Sequence, residues 1–173
     1  MSAHQAPTAD ADVASASETA EGMLLIFRLS GEAFALPVNG VFEILDPIPT
    51  TRVPGAPEFA CDLINVRGSI APLFDLRKRL GMPEARLGAS TRFIVLELPV
   101  AGEPTRLAIE ADSVDEVIEP DPGSFEPIPE LGARWPERFI RGICTHEGQL
   151  VVLLEAEALF APEQATHEPG ALP

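Results

Sequence analysis

Three histidines, two cysteines and 27 acidic side chains are the groups of this 173-residue chain able to do chemistry beyond packing. Their spacing argues against most of it. His4 and His167 fall near the two ends, which leaves His146 as the histidine of the patterned region. A metal site needs three or four convergent His, Cys or carboxylate ligands. Carboxylates abound, but their ligand partners are missing in sequence view, so His146 reads as an exposed turn residue and no metal or cofactor is expected. A Ser–His–Asp arrangement would have to use His146, and no serine sits in a GxSxG elbow. Cys61 and Cys144 lack CxxC spacing and lie in apolar runs, where a reduced thiol behaves as a small hydrophobe. Neither GxGxxG nor GxxxxGK[ST] occurs, and Lys78 is the one lysine. Paired acids such as Asp115-Glu116 can do general acid–base work. Among 27 acids, however, that pairing carries little information. The expectation is a protein that is not an enzyme.

Charge narrows the partners. Twelve basic against 27 acidic residues give a net charge of −15, which repels phosphate backbones and anionic membranes. Nine acids stand between Leu107 and Glu137 against Arg134 alone (Glu110, Asp112, Asp115, Glu116, Glu119, Asp121, Glu126, Glu130, Glu137). Between Leu63 and Arg92 the sign reverses, with Arg67, Arg77, Lys78, Arg79, Arg86 and Arg92 against Asp75 and Glu84. Such polarity suits the steering of protein partners, and equally a solvated acidic face that keeps the chain dispersed. No apolar run approaches the roughly 20 residues that span a bilayer. The first residues lack a basic stretch followed by an apolar one, so a cytoplasmic location is expected.

The elements that must carry these residues are short. Eighteen prolines spread along the chain disfavour long helices. Residues 1–22, rich in Ala, Ser, Thr, Asp and Glu, read as a disordered tail, and 161–173 as a second tail. Between them four hairpins are expected: Met23–Leu29 with Ala33–Val38; Leu63–Arg67 with Ile70–Phe74 around Gly68-Ser69; Arg92–Leu98 with Thr105–Ile109; Ile140–Thr145 with Gln149–Leu154. Val38–Leu45 has room for a helical turn. Asp75 can cap a short helix at Leu76–Leu80, stopped by Gly81, and another runs to Phe160.

The hairpins repeat. Adding 80 to the numbers of Phe59–Leu76 lands on Phe139–Ala156 without a gap, so that Phe59 meets Phe139, Gly68 meets Gly148 and Leu73 meets Leu153. At an offset of 73, Phe34, Val41, Glu43 and Ile44 meet Leu107, Val114, Glu116 and Val117. Two copies of one unit therefore account for 23–160, read as one domain of two intertwined barrel subdomains. About five short strands per copy cannot bury both faces of an open sheet, which argues for two small barrels packed together, with a binding groove at their seam.

Asn65-Val66-Arg67-Gly68-Ser69-Ile70-Ala71-Pro72-Leu73-Phe74-Asp75-Leu76-Arg77 closely resembles the NLRGxxxPxxDLR stretch of CheW domains. Flanking landmarks follow in the same order. Phe27-Arg28-Leu29 with Gly31-Glu32 resembles the family's opening hairpin, and Val41 with Glu43-Ile44 its VxEI. Val53-Pro54-Gly55-Ala56-Pro57 resembles its proline-rich lead-in. Asp112, Val114 and Val117 fit its DxVxxV, and Phe139-Ile140-Arg141-Gly142 its closing strand. The resemblance implies an all-β fold of two pseudo-symmetric five-stranded SH3-like barrels with short helices. It further implies a non-catalytic adaptor that binds the regulatory domain of a CheA-type histidine kinase at one surface and a chemoreceptor hairpin tip in the groove.

Carried onto this chain, the resemblance makes Arg67 the first candidate for partner binding, beside Glu43. A planar, permanently charged fork suits carboxylate partners, and an Arg67–Glu43 pair that orders the groove is a compatible reading. Val41, Ile44 and Val66 are candidates for an apolar groove lining, with core packing the better reading for Ile44. Asn65 and Gly68 complete the hairpin tip. Asp62 stands where the family often has glycine, in the region tied to kinase contact. The Glu119–Glu137 connection carries the one tryptophan, Trp135, which either faces a partner or folds back to plug a barrel end. Two rivals stay open: an adaptor of a non-flagellar chemosensory system (pili or a second messenger), and a small-ligand-binding barrel. A deep polar pocket around His146 would mark the last of these.

Overall fold

The computed structural model describes residues 22–121, 123–128 and 134–161. The expected tails lie outside these residues, apart from Gly22 and Ala161. The elements run β1 (Leu24–Leu29), β2 (Glu32–Pro37), β3 (Val41–Leu45), β4 (Thr51–Arg52), β5 (Asp62–Val66), β6 (Ser69–Phe74), α1 (Leu76–Leu80), β7 (Arg92–Val100), β8 (Glu103–Ala111), β9 (Ser113–Ile118), β10 (Ile140–His146), β11 (Gln149–Leu154) and α2 (Ala156–Phe160). The helical turn expected over Val38–Leu45 is confined to a 3-10 turn at Val38–Gly40, and the rest is strand.

All four hairpins form, each on a two-residue turn with both central φ angles positive. This is the turn whose backbone twist matches that of the strands it joins. The second hairpin differs by one residue from expectation. Its central pair is Arg67 (φ 51°) and Gly68 (φ 85°), not Gly68-Ser69, and Asn65 Oδ1 accepts from the Gly68 N–H at 2.9 Å. α1 begins where Asp75 accepts from the Arg77 N–H at 3.1 Å and stops at left-handed Gly81. Glu155 holds the matching place before α2 but makes no side-chain cap.

The strands assemble into two sheets, ordered β10-β11-β2-β1-β9 and β3-β7-β8-β6-β5-β4. In this order the two barrels are intertwined, each built from strands of both copies. The first sheet takes β1 and β2 from the first copy and β9 to β11 from the second, and the other sheet takes the converse set. The joints are parallel and equivalent. Leu73 of β6 pairs with Ala108 of β8, and Leu153 of β11 pairs with Ala35 of β2. Leu73 and Leu153 differ by the offset of 80, and Ala35 and Ala108 by that of 73. The Asp75 N–H to Phe59 O bond (2.9 Å) likewise recurs as Glu155 N–H to Phe139 O (2.8 Å).

Strand alternation distributes the apolar side chains over three cores. Ile26, Ala35, Cys144, Val151 and Leu153 fill the interior of the first sheet. Ile64, Val66, Leu73, Phe93 and Val95 fill that of the second. The opposite faces of the same strands, with Phe27, Phe34, Leu36, Phe74, Ile94 and Leu107, form a larger core between the sheets, joined by Phe139, Phe160 and Trp135. Trp135 is 9% exposed and sits edge-on to Phe34 at 5.5 Å. It folds back onto the core and is not a partner-facing side chain. Residues 122 and 129–133 of its connection lie outside the described residues. Cys61 and Cys144 are free and buried, as expected, and burial pushes the Cys144 thiol pKa up.

Candidate functional site

The two barrels close by side chains, because each sheet order leaves two edges that must meet. In the second sheet β3 lies at one edge and β5 and β4 at the other. Arg67, on the tip between β5 and β6, reaches across. Its Nε donates to Glu43 Oε2 and its Nη2 to Glu43 Oε1, both at 2.8 Å. Glu43 lies on β3, next to a bulge in its pairing with β7. The fork geometry is the planar match of guanidinium and carboxylate. The hydrogen bonds from Arg67 hold the Glu43 carboxyl below the usual carboxylate range, and Glu43 raises the Arg67 pKa in turn. Arg67 stays 70% exposed and Glu43 20%. A fork pinned by one carboxylate at its base still presents most of its surface to solvent.

The apolar candidates fall out differently from expectation. Ile44, read as core, is 41% exposed, and its neighbour Phe42 is 44% exposed with Arg106 stacked over its ring at 4.0 Å. Val66, read as groove lining, is 2% exposed and belongs to the interior of the second sheet. Val41 is half-buried against the core between the sheets. For Val41 and Ile44 the cause is the phase of β3. Val41, Glu43 and Leu45 share the less exposed face, which turns Phe42 and Ile44 outward. Ile70, 61% exposed on β6, is an apolar surface residue that the sequence reading did not single out. Asn65 is exposed and makes the turn, Gly68 supplies its left-handed backbone, and half-buried Asp62 pairs with Arg52 of β4.

The basic run proves largely structural. Arg77 is 1% exposed, with Asp75 at 3.0 Å, Glu110 at 3.8 Å and a close pair to Asp112. Burial pulls its pKa down, but the hydrogen bond and charge of Asp112, with Asp75, carry it above the usual value. Asp112 also accepts from the Ser30 N–H of the β1–β2 turn, so Arg77 ties α1 and both sheets together. Arg79 lies over Phe59 at 4.3 Å and over its repeat partner Phe139 at 4.9 Å, and donates to Leu159 O and Ala161 O. Lys78 and Arg92 face Glu84 and Asp46. The steering reading of this run therefore rests mainly on Arg67 and on exposed Arg86.

His146 ends β10, beside the β10–β11 turn. It is partly exposed, and its Nε2 stands 3.2 Å from Glu116 Oε1 on β9. Cavities of about 280 and 220 Å³ lie elsewhere, beside Trp135 and beside Arg141. Among the described residues no helix is long and apolar enough to cross a membrane.

Comparison with known proteins agrees with this architecture. A family model described as the CheW-like domain matches residues 23–164. Chemotaxis protein CheW of Bacillus subtilis (strain 168) is 30% identical over 142 residues, covering 82% of this chain and 88% of that protein. The crystal structure of scaffolding protein TtCheW from Thermoanaerobacter tengcongensis has a TM-score of 0.74 and 26% identity, covering 94% of this chain and 95% of that one. Protein PilI of Pseudomonas aeruginosa is 34% identical over 71 residues, 41% of this chain and 40% of that protein.

Proposed function

The chain belongs to the CheW-like domain family, and from that premise we propose that it is a non-catalytic cytoplasmic adaptor coupling chemoreceptors to a CheA-type histidine kinase. The match to chemotaxis protein CheW across most of both chains supports this role. The observation that carries it on this molecule is the Arg67–Glu43 seam. A charged fork held by a bidentate pair, on a sheet that also exposes Phe42, Ile44 and Ile70, is built for gripping a protein surface. Within the seam Arg67 is the contact residue, Glu43 its orienter, and Asn65 and Gly68 set the turn. Ile44 offers apolar contact, and Val41 and Val66 support it from below. Asp62, at the β4–β5 edge, faces the kinase in this reading. Residues 23–160 act as one domain.

The test uses the full chain with a CheA-type kinase and a receptor cytoplasmic fragment. Arg67→Glu is expected to keep its circular dichroism and cooperative unfolding while receptor-dependent kinase stimulation is lost. Wild-type stimulation by a folded R67E protein would overturn the assignment. The partial match to PilI favours a second reading, an adaptor of a non-flagellar chemosensory system. Co-purification with the kinase of one system and not the other separates the two.

A further inference from the structure

The first sheet closes on different chemistry. Its edges are β10 and β9, and the residues that meet there are Glu116 of β9 and the β10–β11 tip. Glu116 stands 73 residues beyond Glu43, and Glu147 stands 80 beyond Arg67. Where the other seam joins a carboxylate to a guanidinium, this one brings two carboxylates together with an imidazole between them in sequence. One ligand atom from each of Glu116, His146 and Glu147 lies within 4.8 Å of the other two, the one such group among the described residues.

We propose that Glu116, His146 and Glu147 bind one divalent first-row transition ion, with zinc the best match, which ties β9 to the β10–β11 tip. One imidazole and two carboxylates are a borderline donor set that suits zinc, whereas calcium and magnesium take six or more oxygens. Zinc bonds of about 2.0–2.2 Å place tetrahedral donors roughly 3.4 Å apart. His146 Nε2 and Glu116 Oε1, at 3.2 Å, already have that separation. Closing the rest requires at most about 1.4 Å of movement by exposed glutamate side chains, which rotamer changes supply. The two sides are already bridged by a neighbouring side chain. Arg28 donates from Nε to Asp115 Oδ2 on β9 and from Nη2 to Gln149 Oε1 on β11, both at 2.6 Å. A fourth position is left for water.

The experiment is zinc titration of tag-free full-length chain by calorimetry, with cobalt absorption as a second readout, in an H4Q/H167Q background that removes the other histidines. One ion per chain is expected, together with a zinc-dependent rise in thermal midpoint. His146→Gln and Glu147→Gln should each weaken binding at least tenfold while the fold, read by circular dichroism, is unchanged. Glu103→Gln, a remote exposed acid, should leave it unchanged. Absence of saturable zinc binding below about 1 mM, a stoichiometry other than one, equal affinity in H146Q, or calcium binding as tight as zinc would each overturn the site. None of these outcomes bears on the adaptor role, because kinase stimulation is not among the readouts.

Discussion

Replacing Arg77 by methionine tests the claim that a buried guanidinium locks the two sheets together. The side chain is 1% exposed and is surrounded by Asp75, Glu110 and Asp112, themselves 18–27% exposed. Removing one partner of a buried ionic cluster costs about 3–5 kcal/mol, because the remaining charges lose their compensation. Water reaches these three carboxylates in part, so the low end, about 3 kcal/mol, applies. Against a total of roughly 5–15 kcal/mol this is a large fraction. With a urea slope of about 2 kcal/mol/M it moves the unfolding midpoint down by about 1.5 M. The loss also has a pH signature. Burial already raises the Glu110 pKa above its ordinary value, although Arg77 opposes the shift. A carboxyl raised in the folded state stabilises below its unfolded pKa, and that contribution is lost as pH rises through the folded value. Without Arg77 the opposition disappears, the folded value climbs, and the window of loss extends toward neutrality. R77M should therefore be closer to wild type at pH 4.5 than at pH 7. The assay is urea unfolding followed by circular dichroism at both pH values. A loss below about 1 kcal/mol at pH 7, or a deficit that grows as pH falls, would refute the reasoning.

The remaining predictions use the same fold. Val66→Ala should cost about 2 kcal/mol from the interior of the second sheet, whereas Ile44→Ala should stay within about 0.5 kcal/mol, by urea unfolding. In pull-downs with the receptor fragment the soluble I44A protein should nevertheless bind less. Trp135→Ala should cost about 3–5 kcal/mol, since the ring fills the core beside Phe34. In the wild type its emission should shift to the red together with the circular dichroism transition. The exchange Glu43→Arg with Arg67→Glu should restore the thermal midpoint lost in either single change but not kinase stimulation. Recovery of both would make the pair purely structural.

Pattern and repeat were legible in the sequence because both are local. Alternation with residue–Gly turns located the four hairpins, and the gap-free match of Phe59–Leu76 to Phe139–Ala156 predicted equivalences that recur as hydrogen bonds at Phe59 and Phe139. Which strands are exchanged was not legible. Nothing in Leu73 or Leu153 says whether its parallel partner comes from its own copy or the other, since Ala35 and Ala108 are the same residue type. Ile44 was misread as core for a narrower reason. In a short strand one residue of phase reverses inside and outside, and β3 carries a bulge between Val41 and Glu43. The contact of His146 with Glu116 was missed because it spans 30 residues and depends on the first sheet curling until its edges meet.

Strand exchange also bears on how an adaptor can transmit force between two partners. If each copy folded by itself, two barrels would meet at an interface able to slide, as domain contacts within a chain commonly do. Here each sheet contains strands from both copies, so the copies cannot come apart without breaking the parallel joints at Leu73–Ala108 and Leu153–Ala35, and the chain crosses from sheet to sheet at β2–β3 and at β8–β9. The core between them holds Phe27 and Phe34 of one sheet against Phe74 and Ile94 of the other, and Arg79 lies between the equivalent rings of Phe59 and Phe139. A partner bound at the Arg67 seam is thus held at a fixed position relative to any partner bound on the other barrel. On the proposed function this rigidity is the mechanism. The adaptor does not need to change shape for a displacement imposed on one face to be felt at the other, because the two sheets share one apolar core and are joined by two crossings of the chain.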